Sequence, residues 1–468
     1  MTNLILSLQL VALTHATVID ISTGTASRDQ TIVVNGRRIE VVGPAASTPA
    51  PAAARVIDVG GKFVIPGLWD MHVHNDVPGG DALLALYVAH GVTGVRDMNG
   101  ALENLRRWQR EISAGTRVGP RMVASGPYIV GARVPVPHVE VHTEAEAVIA
   151  VDALATLGVD FIKVHTALPA DAFFTVAREA RRRGIPFAGH VMAPVTPLQA
   201  SDSGLRSAEH LSGFPNECTP KDSAVFARAI PLQRLLLGGC TSKPQTPIYE
   251  RIARNGMWIT PTLTVQVPLS ELSVPAQPGS LSALYYSDSL LAQMRESMGL
   301  PSSRPVAARK AGRAMFAKRV AMVGTMHEAG IAILAGTDAP IAPSPPGVSL
   351  HDELELLVRA GLTPLEALRA ATIEPARYFA AKDSLGSIAA GKLADLVVLD
   401  ADPVRDIRNV RRIHMVVADG RVYDAEARSA LLDGVKRAAR RRSKASPRTH
   451  TDSGGRADSN TGLHNRAR

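Results

Sequence analysis

The sequence predicts an α/β chain built on a parallel (β/α)8 barrel of the TIM type, with a small β-sandwich domain assembled from both termini. Three observations lead there. A long middle region alternates short apolar runs with helical stretches, β-rich flanks with turn signals stand at both ends, and metal-binding residue types collect where the apolar runs stop.

Residues 8–65 read as short strands separated by turns: LVALTHATVIDIST, TIVVNGRRIEVVG and RVIDVGGKFVIPG. ADLVVLDADP and VRRIHMVVADGRVYD repeat that style near the other end, which assigns the small β-domain to 8–65 plus 376–425. Residues 66–375 then carry eight strand candidates: VIPGLWDMHVH, GVTGVRDM, RMVASGPYI, DFIKVHT, IPFAGHV, SAEHLSG, WITPTLT and AILAGTDAP. Helix candidates such as DALLALYVAHG, LENLRRWQREISAG and EAEAVIAVDALATLG lie between them. The segment from about 265 to 327 is too long for a simple connection, and its run AARKAGRAMFAKRVAMVGTMHEAG predicts a helical excursion beside the site. AGLTPLEALRAATIEPARYFAA reads as a helix pair divided at Pro375.

Composition narrows the function classes. The net charge of +9 over 468 residues invites a nucleic-acid reading, but residues 436–468 hold ten Lys or Arg against Asp452 and Asp458. That leaves +1 for the rest, so the basic character belongs to a tail whose composition predicts disorder, and no specific nucleic-acid partner is expected. MTNLILSLQLVALTHAT lacks a basic start, and no apolar run approaches the 18 residues of a membrane span, so a cytoplasmic protein without membrane contact is expected. The two cysteines, Cys218 and Cys240, offer no disulfide framework and read as inert thiols in a reducing compartment.

In such a barrel the chemistry stands at the C-terminal ends of the strands. His72 and His74 end the first run and, two apart, share a face; Lys163 stands on the fourth, His190 on the fifth, His210 on the sixth and Asp338 on the eighth. Four imidazoles and a carboxylate on one opening suit a borderline metal such as zinc. Lys163 is the odd member, since an ammonium would repel the metal. Burial and nearby positive charge lower a lysine pKa, and the neutral amine can take up carbon dioxide as a two-oxygen carbamate.

Taken together, PGLWDMHVH, GVTGVRDMNG, DFIKVH, AGHV, AEHLSG, AGTDAP, GLTPLEALRAAT and LGSIAAGKLADLVVLDADP resemble the amidohydrolase superfamily. The likeness runs over about residues 8–425, to the imidazolonepropionase-related group with its Xaa-Pro dipeptidase-like and ochratoxin-hydrolysing enzymes. The resemblance implies two divalent metal ions, expected to be zinc: His72, His74 and Asp338 on the more buried one, His190 and His210 on the other, and carbamylated Lys163 between them. It further implies hydrolysis of a small-molecule amide or peptide C–N bond by a hydroxide held between the metals, with Asp338 moving the proton, in a homo-oligomer. A cyclic amide or lactone is the alternative substrate class. A non-catalytic scaffold is the reading from another class, but it gives no reason to keep six costly polar groups together.

Other polar residues carry open readings. His165 shares the face of Lys163, and Tyr128 and His351 fall where relatives meet substrate; all three are candidate pocket residues. For His165 packing, and for His351 helix capping, is the plain alternative. His138, Glu140 and His142 mimic a metal motif but precede a Thr143/Glu146 capping box and are read as non-ligands. Asp97 reads as a structural carboxylate paired with Arg96 or with backbone N–H groups.

Overall fold

The computed structural model describes residues 9–271, 280–297, 305–341 and 344–445. Its N- and C-terminal flanks meet in one eight-stranded sheet. Strand Leu10–Ile19 pairs antiparallel with Ala26–Asn35 and parallel with Arg55–Asp58 and Phe63–Pro66. Phe63–Pro66 in turn pairs antiparallel with Leu396–Leu399, which carries Ile413–Ala418 and Arg421–Tyr423. The last hairpin turns on Asp419 and Gly420, both at positive φ (50° and 76°), the conformation that Asp-Gly supplies cheaply.

Alternation along these strands feeds two cores. Val64, Leu396, Val398 and Val417 join Leu13, Ile32 and Val34 in the sheet's own core, whereas Ile65, Val397, Leu399 and Val416 face the central unit. Strands from opposite ends of the sheet share that first core, so the sheet curls over itself. The flanks form one continuous sheet, because Phe63–Pro66 is hydrogen-bonded on both of its edges.

The central unit strings parallel strands in sequence order. Leu68–Val73, Val92–Asp97 and Arg121–Ala124 form one sheet; Ile162–Val164, Phe187–Gly189, Ser207–Glu209 and Trp258–Thr260 belong to a second. The third strand candidate is interrupted at Gly126 (φ 67°) and resumes as Tyr128–Val130, which pairs with Ile162–Val164. The eighth candidate forms bridges only: Leu334 N donates to Ile259 O, and Met71 N donates to Ala335 O, linking it to the seventh strand and to the first. Gly94 is required by contact, since a Cβ there would lie 2.2 Å from the Trp69 indole.

The described residues of the 265–327 segment are largely helical as expected, with Leu263–Glu271, Leu281–Tyr285, Asp288–Ser297 and Val306–Glu328. The pair after the last strand divides at Ala371–Thr372 rather than at Pro375, which sits in the first turn of Ile373–Tyr378, where a missing N–H costs nothing. Two further expectations are overturned. Residues 436–445 of the basic tail continue helix Ala425–Ala445, ordered by Val435 packing against Leu83, Leu86 and Tyr285 and by Arg442 bonding to Asp81; residues 446–468 lie outside the described residues. Cys218 and Cys240 form a disulfide, because the short parallel pair Asn216–Glu217 and Cys240–Thr241 sets them side by side, and the cysteine count no longer argues for a reducing compartment. Among the described residues no helix is long and apolar enough to cross a membrane.

Val435→Asp places an unpaired carboxylate in that apolar cluster and is expected to destabilise the chain by roughly 3 kcal/mol in urea unfolding, whereas a change within about 0.5 kcal/mol would mean the helix is undocked. Native protein should take up no iodoacetamide, and mass spectrometry should find both cysteines alkylated only after a dithiol reductant.

Candidate metal centre

Arg96 organises the floor beneath the cluster. It points inward from its strand, fully buried, and all of its N–H groups are used: Nε to Met71 O (2.7 Å), Nη1 to Ser207 Oγ (2.8 Å) and Tyr378 OH (2.7 Å), Nη2 to Glu209 Oε1 (2.8 Å) and Thr260 Oγ1 (3.2 Å). Asp97 takes the second of its two expected pairings, with backbone N–H groups, accepting from the backbone N and side-chain amide of Asn75, both at 2.9 Å. Burial opposes ionisation of Glu209, but Arg96 and His72 outweigh it and hold the carboxyl well below its usual range.

On this floor stands His72. Its Nδ1 lies 2.7 Å from Glu209 Oε2; with that carboxylate ionised, Nδ1 carries the proton and Nε2 presents a lone pair. Nε2 lies 3.3 Å from both His74 Nε2 and Asp338 Oδ1, and His74 Nε2 is 3.0 Å from the same oxygen. The His210 ring lies 4.3 Å from that of His72, tilted against it, with its Nδ1 2.7 Å from Thr262 Oγ1, and the His190 ring is 4.7 Å from that of His210. His72, His210 and Asp338 form a three-donor group whose ligand atoms all lie within 4.8 Å of one another.

Strand geometry alone would not bring these side chains together. Glu209 and His210 are neighbours in sequence, yet both reach His72, because His210 adopts a left-handed φ of 60° and turns back toward its predecessor. Asp338 (φ 61°) and Thr262 (φ 46°) use the same device. Each such residue costs on the order of 1–3 kcal/mol, which the surrounding hydrogen bonds must hold in place. Gly336 leaves room for His72: a Cβ there would lie 2.9 Å from that of His72.

Lys163 is fully buried, and its Nζ has no hydrogen-bond partner among the described residues. Burial pushes its pKa down to about 8, against the opposing pull of Glu209 and Asp338. Burial, with Lys163 nearby, also lowers His72, His190 and His210, so their imidazoles are neutral and able to donate lone pairs. Asp338 is desolvated too, but His210, His72 and His74 keep it ionised well below the usual carboxylate range. Neutral imidazoles, an anionic carboxylate and an orphaned amine form a donor set that fits divalent metal ions and a carbamate.

Of the pocket candidates, two are at the cluster. The His165 ring stacks between Tyr128 (4.5 Å) and His190 (4.1 Å), and Tyr128 OH lies 3.4 Å from His74 Nδ1. His351 is not: its Nε2 lies 3.0 Å from His90 O, where it pins helix Val348–Arg359 to helix Gly80–Ala89, so its place as a pocket residue is withdrawn. His142 bonds to Glu140 on the surface beside the predicted Thr143/Glu146 capping box, away from the cluster. Sequence reasoning passed over Glu209 and Thr262 and named Arg96 only as a partner for Asp97. The one available signal was a carboxylate in the strand directly before His210.

A family model described as Amidohydrolase family matches residues 63–423. The chain belongs to this family. An imidazolonepropionase from Brevibacillus brevis (strain 47 / JCM 6285 / NBRC 100599) is 30% identical over 171 residues, 35% of this chain and 39% of the relative, so the match spans about two fifths of that protein. The structure is similar to that of a bottromycin amidohydrolase, with a TM-score of 0.71 and 25% identity over 92% of this chain and 90% of the other. The A. niger ochratoxinase superimposes with a TM-score of 0.63 at 19% identity, covering 89% of this chain and 96% of the other, a likeness of fold alone.

Replacing Glu209 with Gln leaves the Arg96 cation without its counter-charge. The expected loss is roughly 3–5 kcal/mol of unfolding free energy, and Arg96→Met combined with it should cost clearly less than the two changes summed. Strict additivity in that cycle would show that the pair is not coupled.

Proposed function

We propose that the chain is a metal-dependent amidohydrolase that cleaves an amide or peptide C–N bond of a small molecule, with carbamylated Lys163 between two divalent metal ions. One observation carries this reading: an amine buried without a hydrogen-bond partner among the described residues, beside four imidazoles and Asp338, is a costly arrangement unless a further group completes it. The parallel strands, taken with the hydrogen bonds from the 333–339 segment to the seventh strand and to the first, support a closed (β/α)8 barrel with this cluster at its C-terminal mouth.

In this reading His72, His74 and Asp338 would hold one metal, His190 and His210 the other, and carbamylated Lys163 would contribute to both. The neutral Lys163 amine attacks carbon dioxide and releases one proton, which leaves an anion with two oxygens. Metal ions held there would supply a water of lowered pKa and polarisation of the scissile carbonyl. Asp338, ionised and fixed against both first-strand histidines, accepts the proton of the attacking water at its carboxylate and returns it to the departing nitrogen. Glu209 fixes the tautomer and aim of His72. Tyr128 and the stacked His165 form the adjoining wall and orient the substrate.

Zinc-loaded protein should carry close to two metals per chain by elemental analysis. Lys163→Ala should lose metal and more than about 100-fold in rate, partly restored by propionate, which supplies a two-oxygen anion to the vacated space. Full activity in Lys163→Ala with a single metal per chain would refute the two-metal reading. N-acyl amino acids, Xaa-Pro dipeptides, ochratoxin-like amides and lactones are the substrates to compare.

A further inference from the structure

At the end of the central unit remote from the metal cluster lies a cleft of about 440 Å³, large enough for a small organic molecule. Chain direction gives its position. Phe161, Pro186 and Arg206 line it and stand just before strands Ile162–Val164, Phe187–Gly189 and Ser207–Glu209, whereas Lys163, His190 and His210 lie within those strands or after them. Tyr378 and Phe379, at the end of helix Ile373–Tyr378, close another side.

The cleft carries one uncompensated charge. Arg106 is neutralised by Asp160, bonding to both carboxylate oxygens at 3.1 and 3.3 Å. Arg206 has no such partner: its described hydrogen bonds run only to the Tyr378 carbonyl, through Nε and Nη2, and no carboxylate pairs with it among the described residues. Its guanidinium lies over Trp258 (5.4 Å) and Tyr378 (4.9 Å), which fixes the plane of the donor fork and leaves Nη1 unused. A guanidinium held flat with spare donors matches a carboxylate. A doubly charged phosphate would bring surplus negative charge beside Asp160. Phe161, Pro186 and Phe379 supply apolar walls suited to a flat group.

We propose that this cleft is a second ligand site, for a small monocarboxylate bearing a flat apolar group, with the carboxylate on Arg206 and the ring against Phe161 and Phe379. The site stands whatever bond the metal centre breaks.

The test is calorimetric titration of the full chain with phenylacetate, using 2-phenylethanol as the uncharged analogue. A Kd of about 1–10 mM is expected for so small a ligand, with the alcohol at least about tenfold weaker. Arg206→Met should weaken phenylacetate at least about tenfold, and Val123→Trp, which fills the cleft from its wall, should abolish binding; the second variant decides the matter if the first fails to fold. Lys163→Ala should bind phenylacetate unchanged. Equal affinity for acid and alcohol, full affinity in a folded Arg206→Met or Val123→Trp protein, or loss of binding in Lys163→Ala alone would each overturn the proposal, the last by placing the ligand at the metal cluster.

Discussion

The fully buried contact between Arg96 and Glu209 is the constraint on which the rest of the centre depends. A lone guanidinium or carboxylate at that depth would be prohibitively costly, so the pair exists only because each neutralises the other and every remaining donor is satisfied. Its bonds tie the second strand to the first, sixth and seventh and to the Tyr378 helix. The same carboxylate then reaches His72. Alignment of the strands and aim of the first imidazole are therefore one structural fact rather than two.

Above that floor, electrostatics and backbone strain act together. Burial drives His72, His190, His210 and Lys163 toward their neutral forms while clustered neighbours keep Asp338 and Glu209 charged, a separation of proton affinities suited to ligands and to a proton carrier. The left-handed residues His210, Thr262 and Asp338 stand at strand ends, where regular pleating would turn alternate side chains away. Their strain gives the cluster more inward-facing groups than regular strands could otherwise offer.

Much of this was legible in the chain itself. His72 and His74 could be placed on one face because strand period is two, and Lys163 stood out because a lysine at the end of the apolar run DFIKV has no ordinary reason to be there. The capping box at Thr143 was readable because its partners are three residues apart. What failed had long-range causes. His351 satisfies the carbonyl of His90, 261 residues away, and Cys218 meets Cys240 only because two short strands happen to pair. The tail's first ten residues were read as disordered from charge, whereas Val435 and Ala439 give the helix a narrow apolar stripe that acquires meaning only once the helix Gly80–Ala89 is beside it.

The sequence by itself determined the α/β alternation, the turn-rich β flanks and the identity of the metal-type side chains, because periodicity, turn chemistry and donor type are local properties. Only the tertiary structure decided which of those side chains meet. The Arg96–Glu209–His72 relay, the choice between Tyr128 and His351 as neighbours of the cluster, and the curl of the terminal sheet all rest on contacts between residues dozens to hundreds apart. Such contacts are fixed by the packing of whole strands and by the high cost of leaving a buried charge alone, and no window of sequence contains either.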